Sequence, residues 1–273
     1  MKKEITYLLL ILGLQIFSQN TQTVRLELVS FSDKSYNDFA PTLFKKGILF
    51  VSDRDKSTNY YSLYYSDFKS KPKKVKIKNQ KYHIGQIFYD ALNRTAYLTK
   101  TSNEISKDST TYNLAVFSVK IKGNKRKRIE KLRKLDFCNP NYSYGYAQIH
   151  NKKLTIHSNE NNEYSLSVYE SKNNKWVKEK VIYKDKYPIL NPTYKNNSTI
   201  VFASKRPGGK GGVDLYEIVK INEKWGEPNN LKEFNSEYDE LSLLYVNENK
   251  GYLSSNRIDN KDHIFKFTIN QKE

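Results

Sequence analysis

A single cysteine, Cys138, stands in 273 residues. No disulfide can form within the chain, which excludes the small disulfide-stapled scaffolds. A lone free cysteine is expected to behave as a small buried apolar residue rather than a nucleophile. Glycine and proline are sparse, at 11 and 7, so a chain of many short strands must fill its turns with asparagine, aspartate and lysine. Beyond residue 18 no apolar run is long enough to cross a bilayer as a helix. The four histidines, His83, His150, His157 and His263, show no zinc-ligand spacing, and no metal or cofactor is expected. No G-x-S-x-G elbow is present. Acidic residues number 29 against 47 basic ones, giving a formal charge of +18.

What is there begins with Met1, Lys2 and Lys3 ahead of an apolar run over 5–17. This has the form of a signal peptide over 1–18, cleaved after Ser18, and implies export. From there the chain is repetitive. The segments FVSDR (50–54), YLTKT (97–101), IHSNE (156–160), FASKR (202–206) and LSSNR (253–257) each end an apolar strand in Ser or Thr and a polar pair. Each is followed by a strand with an aliphatic centre: Leu63, Leu114, Leu166, Leu215 and Ile264. By subtraction these centres lie 51, 52, 49 and 49 residues apart. A period of about 50 with four strands per unit predicts an all-β, five-bladed β-propeller. The alternative, a β-sandwich of short strands, normally lacks a fixed long period.

The blades are expected over 37–79, 83–136, 141–185, 188–234 and 236–270, in one domain spanning 19–273. The fifth unit lacks a fourth strand. Residues 23–31, TVRLELVSF, alternate apolar and polar side chains and are predicted to supply it, closing the ring and removing exposed sheet edges. An insertion over 101–111 and a basic exit over 120–134 distinguish the second unit.

The stretches SKRPGGKGGVDLYEI, KWGEPNNL and FNSEYDELSLLYVNENKGYLSSNR resemble the TolB-type, WD40-like β-propeller repeat. The likeness is specific in units four and five, moderate in unit one (NDFAPTL with FVSDRD) and weak in two and three. Blades of this kind occur in cell-envelope proteins of the Bacteroidetes, often ahead of an OmpA-like peptidoglycan-binding domain. The resemblance implies a periplasmic or outer-membrane-associated protein that binds partners. No OmpA-like segment follows in this sequence, so peptidoglycan anchoring is not carried over.

The recurring charged corner supplies the candidate site residues: Arg54, Arg206, Arg257, Asp214 and Asp239. They either line a ligand site or hold blade to blade through paired hydrogen bonds. Pro207, Gly208, Gly209, Lys210, Gly211 and Gly212 form a loop that does not match G-x-x-x-x-G-K-[ST] and joins two strands. A hairpin turn is therefore expected, with its surface offered to a partner. Residues 53–59 lack the glycine and the terminal glutamate of a calcium loop. Glycoside hydrolysis would need two converging carboxylates, for which Asp38, Asp90, Glu160, Asp214, Asp239 and Glu240 are available. Strong positive charge could attract an anionic glycan or surface; export argues against nucleic acid. The expectation is a monomeric, non-catalytic binding or scaffold module for an envelope protein or glycan. A carbohydrate-active hydrolase and an accessory part of an outer-membrane secretion or motility complex are the alternatives.

Overall fold

Five antiparallel four-stranded sheets form a ring in the computed structural model, which describes residues 23–78, 80–108, 110–121, 128–129 and 131–270. The expected leader and residues 122–127 of the basic exit lie outside the described residues. The innermost strands are Asp38–Phe44, Ile84–Asp90, Tyr144–His150, Leu190–Asn196 and Glu240–Asn247, each beside the next in cyclic order. Blades I to V take their names from them. No helix among the described residues is long and apolar enough to cross a membrane.

Burial explains the composition of each strand. The second strands, such as Gly47–Ser52 and Thr199–Ser204, are buried along their whole length. Both of their faces are covered by neighbouring blades, so they read as continuous apolar runs rather than alternating ones. Outer strands face solvent on one side, and Lys175–Asp185 of blade III is mostly exposed and rich in lysine, which guards the open edge. The apolar side chains collect into five clusters, one at each junction between blades. Cys138 belongs to the cluster between blades II and III, where burial pushes its thiol up to about 11. Asparagine and its polar neighbours do fill the tight turns: Asn151, Lys152, Asn173, Asn174, Asn222 and Glu223 all have positive φ.

Strand Thr23–Leu28 pairs antiparallel with His263–Asn270 from Thr23 opposite Asn270 to Leu28 opposite Phe265. It is the fourth strand of blade V, and the ring is closed as predicted. Blade II departs from the expected register. Val116, opposite Thr99, is the fully buried centre that corresponds to Leu63, Leu166, Leu215 and Ile264. Leu114 instead sits opposite Thr101 at the strand's edge and is only half-buried. Blade II is thus offset, with Lys100 rather than Thr99 opposite the start of the inner strand. Its fourth strand is also divided. Arg133–Lys134 pairs within the blade, while Arg128–Ile129 runs parallel to Lys76–Ile77 at the exit of blade I.

Every inner strand carries a register shift near its start, between Phe39 and Thr42, Ile84 and Ile87, Gly145 and Gln148, Leu190 and Thr193, and Glu240 and Ser242. Such bulges leave backbone groups unpaired and sharpen the strand's twist. Neighbouring blades supply the missing partners. Thr42 Oγ1 donates to the Ile87 carbonyl at 2.5 Å, Gln148 Nε2 to the Pro192 carbonyl at 2.8 Å, and Asn191 Nδ2 to the Leu241 carbonyl at 2.7 Å. Tyr146 N–H donates to Thr99 Oγ1 at 2.9 Å. Ala40, Tyr146 and Asn191 take positive φ at these bulges, at a cost of about 1–3 kcal/mol each, which these cross-blade bonds help to hold.

Candidate binding surfaces at the blade junctions

The charged corner lies where one blade meets the exit of the blade before it. Asp38, completely buried, receives Arg54 through Nε at 3.1 Å and Nη2 at 2.5 Å, and Nη2 also donates to the Phe31 carbonyl at 2.7 Å. Burial raises the Asp38 carboxyl above its ordinary pKa against the pull of Arg54. Blade V repeats the arrangement: Arg257 Nη2 donates to Glu240 at 2.7 Å and to the Phe234 carbonyl, the exit of blade IV, at 2.8 Å. Blade IV varies it. Arg206 Nη2 bonds Asp185, at the end of blade III's outer strand, and the guanidinium lies over Tyr187 and Tyr216. Each arginine therefore spans a junction.

A second hydrogen-bond set beside it was not anticipated from sequence. The residue just before the inner strand reaches back to the preceding blade. Asn37 Oδ1 accepts from Asp262 N–H at 3.1 Å, His83 Nδ1 from Tyr61 N–H at 3.2 Å, Ser143 Oγ from Leu114 N–H at 3.2 Å, and Asp239 Oδ1 from Val213 N–H at 2.8 Å. The corner's Asp or Asn then fixes that same residue. Asp53 accepts from Asn37 N–H, Asn159 from Ser143 N–H and Asn256 from Asp239 N–H, at 2.7–2.9 Å. The sequence signal was present, as a polar residue at the turn into four of the five inner strands, but four different residue types fill the place, and blade IV has Pro188 and Ile189 there.

The glycine loop of blade IV folds onto two carboxylates. Asp214 accepts from Lys210 N–H at 3.0 Å and Gly211 N–H at 3.1 Å. Lys210 Nζ caps the Lys232 and Asn235 carbonyls at 3.3 and 3.2 Å. A Cβ on Gly211 would stand 1.9 Å from the Tyr238 carbonyl oxygen, so the loop's packing against blade V demands glycine there. Pro207 and Gly208 remain exposed, with Gly208 at φ +90°.

The six carboxylates considered for hydrolysis are likewise partnered. Besides those above, Asp90 holds Asn93 through its N–H and side chain at 3.1 and 2.8 Å, and Glu160 accepts from Tyr144 Oη at 2.7 Å and Lys178 at 2.8 Å. Among the described residues no three His, Cys, Asp or Glu side chains form a metal-binding group. His150 and His157 turn to different neighbours. His150 stacks flat on Tyr194, with centroids 4.0 Å apart, while His157 lies between Tyr146 and Tyr164. Burial pulls the His157 pKa down to about 4.

Two grooves stay open. One, of about 1000 Å³, lies at the closing junction, where Tyr36, Phe68, Lys69 and Lys71 surround the edge of Arg54. The other, of about 500 Å³, lies between blades III and IV.

No family model and no curated protein sequence matches this chain. Solved structures do. A TolB-type protein from Agrobacterium tumefaciens superposes with a TM-score of 0.52 at 11% identity, covering 86% of this chain and 77% of that one. The PQQ-bound aldose sugar dehydrogenase of Streptomyces coelicolor gives a TM-score of 0.54 at 10% identity, over 92% and 99% of the two chains. The exo-β-1,3-galactanase of Phanerochaete chrysosporium gives 0.52 at 8%, over 92% and 64%. At these identities the likeness is one of fold. The chain is a five-bladed β-propeller that shares its fold with the TolB-type protein, and propellers serve proteins of differing activity.

Proposed function

We propose that the protein is an exported, non-catalytic binding or scaffold propeller that recognises a protein or glycan partner in the cell envelope. The observation that carries this reading is how the polar groups are allocated. The corner arginines and all six candidate carboxylates are engaged in internal hydrogen bonds, whereas lysines and aromatic side chains line grooves open to solvent. Hydrolysis would require two carboxylates free to converge on a bond, and the partnering of these six speaks for binding. Export rests on the charged start and apolar run over 1–17. Mass spectrometry of the mature N-terminus tests it, with Gln19 expected as the first residue. The exposed face of the loop at Pro207 and Gly208 is the proposed first contact for a protein partner.

Crosslinking and pulldown from the native envelope tests the function. Recovery of a saturable partner is expected, and recovery of none counts against the reading. An unchanged pulldown after Pro207→Ala with Gly208→Ala removes that loop from it.

A further inference from the structure

We propose that the groove between blades III and IV is a binding site for an acidic saccharide. This deepens the reading above and rests on it only in taking the propeller as a binding module. The groove is walled on one side by residues 180–182 of blade III's outer strand and on the other by the turn over 220–225 of blade IV. Both walls are local extensions of the blade plan. Blade III's outer strand runs for 11 residues with two register shifts, the longest strand in the ring. In blade IV, Lys220 and Ile221 pair with Trp225 and Lys224 around a turn in which Asn222 and Glu223 take positive φ. That hairpin projects beyond the part of the strand that pairs with Asn229 and Asn230.

The lining has the chemistry of sugar recognition. Trp225 is half-buried, packed against the apolar cluster of Leu166, Ile200 and Ile218 and also bordering the groove. The C–H faces of a pyranose can rest on such a ring, as other apolar surfaces do. Tyr194 and His150 form the stacked pair at 4.0 Å, and His150 Nε2 is buried without a hydrogen-bond partner among the described residues. Burial lowers the His150 pKa against a side-chain hydrogen bond with Asn197, which favours the neutral ring. Asn151 and Asn197 add side-chain amides at the rim.

Charge selects the acidic class. Lys153 pairs with Glu179 at 2.6 Å and Lys220 with Glu223 at 3.2 Å. Lys180 and Lys224 make no salt bridge among the described residues, and they stand on opposite walls. The surplus is therefore two positive charges facing one another across an aromatic platform. Lysines are compact point charges that take single anionic groups one at a time, whereas the bidentate fork of arginine clamps a planar carboxylate or a phosphate. No arginine lines the groove. A single open tryptophan also suits one sugar ring better than a nucleic-acid strand, which asks for successive stacking platforms.

Isothermal titration of the mature chain with an oligouronate, a sulfated oligosaccharide of equal length and a neutral maltooligosaccharide tests the site, at about 50 and 300 mM salt. Saturable binding of at least one acidic ligand is expected, with none for the neutral one; which acidic ligand wins identifies uronate or sulfate as the group recognised. Lys180→Ala with Lys224→Ala should weaken it by about tenfold through loss of two charge-assisted contacts, with an unchanged unfolding midpoint. Trp225→Phe should weaken it less, and Lys69→Ala with Lys71→Ala in the other groove should leave it unaltered. The proposal is overturned by absence of saturable binding to both acidic ligands. It is also overturned by equal loss in the two lysine pairs, or by an oligothymidylate that binds as tightly as either saccharide. A protein partner that survives the Lys180 and Lys224 changes, with no saccharide bound, would sink this site and leave the wider binding reading standing.

Discussion

The junctions entering blades IV, V and I carry an arginine that crosses from one blade to the exit of the last, and those entering blades II and III do not. Between II and III the corresponding place holds Tyr144 and Glu160, tied to Lys178 on the blade's own outer strand. Between I and II the work falls to His83 and to the parallel bridge of Ile129 on Ile77. In the first group the arginine is held by a buried carboxylate and reaches across the junction, Arg54 and Arg257 to a backbone carbonyl of the preceding blade and Arg206 to Asp185 itself. The second relies on apolar contact and half-exposed polar groups. Geometry is shared by all five junctions, but the chemistry that enforces it is not.

Breaking the ring at its closing junction should have the largest effect. Removal of residues 23–28 from the mature chain takes away the strand that covers blade V. A fall in melting temperature of about 10 °C or more is expected by calorimetry, on the scale of several kcal/mol for a domain of this size. Retention of the full-length midpoint would refute closure by this strand.

Arg54→Met should come next. It leaves the Asp38 carboxylate buried without its cation, a change worth about 3–5 kcal/mol in chemical denaturation. Adding Asp38→Leu should recover much of it. Glu160→Gln at the contrasting junction should cost less than about 1 kcal/mol, because its ion pair with Lys178 is partly exposed. Equal costs would erase the distinction between the two kinds of junction.

Two titrations of opposite sign sharpen it further. His157 stays neutral in the fold until about pH 4, while the unfolded chain takes its proton near 6.5. Stability from this residue is present above pH 6.5 and is lost as the pH falls toward 4, by up to about 3 kcal/mol. His157→Phe should flatten that acid limb in urea unfolding measured at successive pH values. Asp262, at the closing junction, is the reverse. Burial, with Asp239 and Asp53 nearby, lifts its pKa to about 6. Its contribution is present below about pH 3.8 and is lost as the pH rises through 6, so Asp262→Asn should stabilise the protein at pH 7.5 by about 1–2 kcal/mol and do nothing at pH 3.5. A constant difference at both values would count against that carboxyl as the cause.

The same contrast explains what could be seen in the sequence. Units one, four and five were legible because all three carry a Ser-x-Arg corner, paired with an acid on the inner strand in one and five and with Asp185 of the preceding blade in four. In unit two the pattern of Ser or Thr before a polar pair selects Thr99, while the fold places Lys100 opposite the start of the inner strand, and so Leu114 stood in for Val116. A Lys whose ammonium lies over the Phe117 ring and donates to the Thr101 carbonyl looks nothing like a serine in sequence. The grooves were invisible for a different reason. His150, Lys180, Asn197 and Trp225 come from four separate turns and strands, and only the ring brings them together.

The strand that seals the ring also bears on timing. Thr23–Leu28 leaves the ribosome well before the strand it pairs with, His263–Asn270, which follows about 235 residues later in the chain. Until then the early strand has nothing to pair with, and closing so large a loop is entropically costly and kinetically slow. The nascent chain is consequently held back from its closed ring until residues 263–270 are made, a delay that would favour any machinery that must handle it as an unfolded thread.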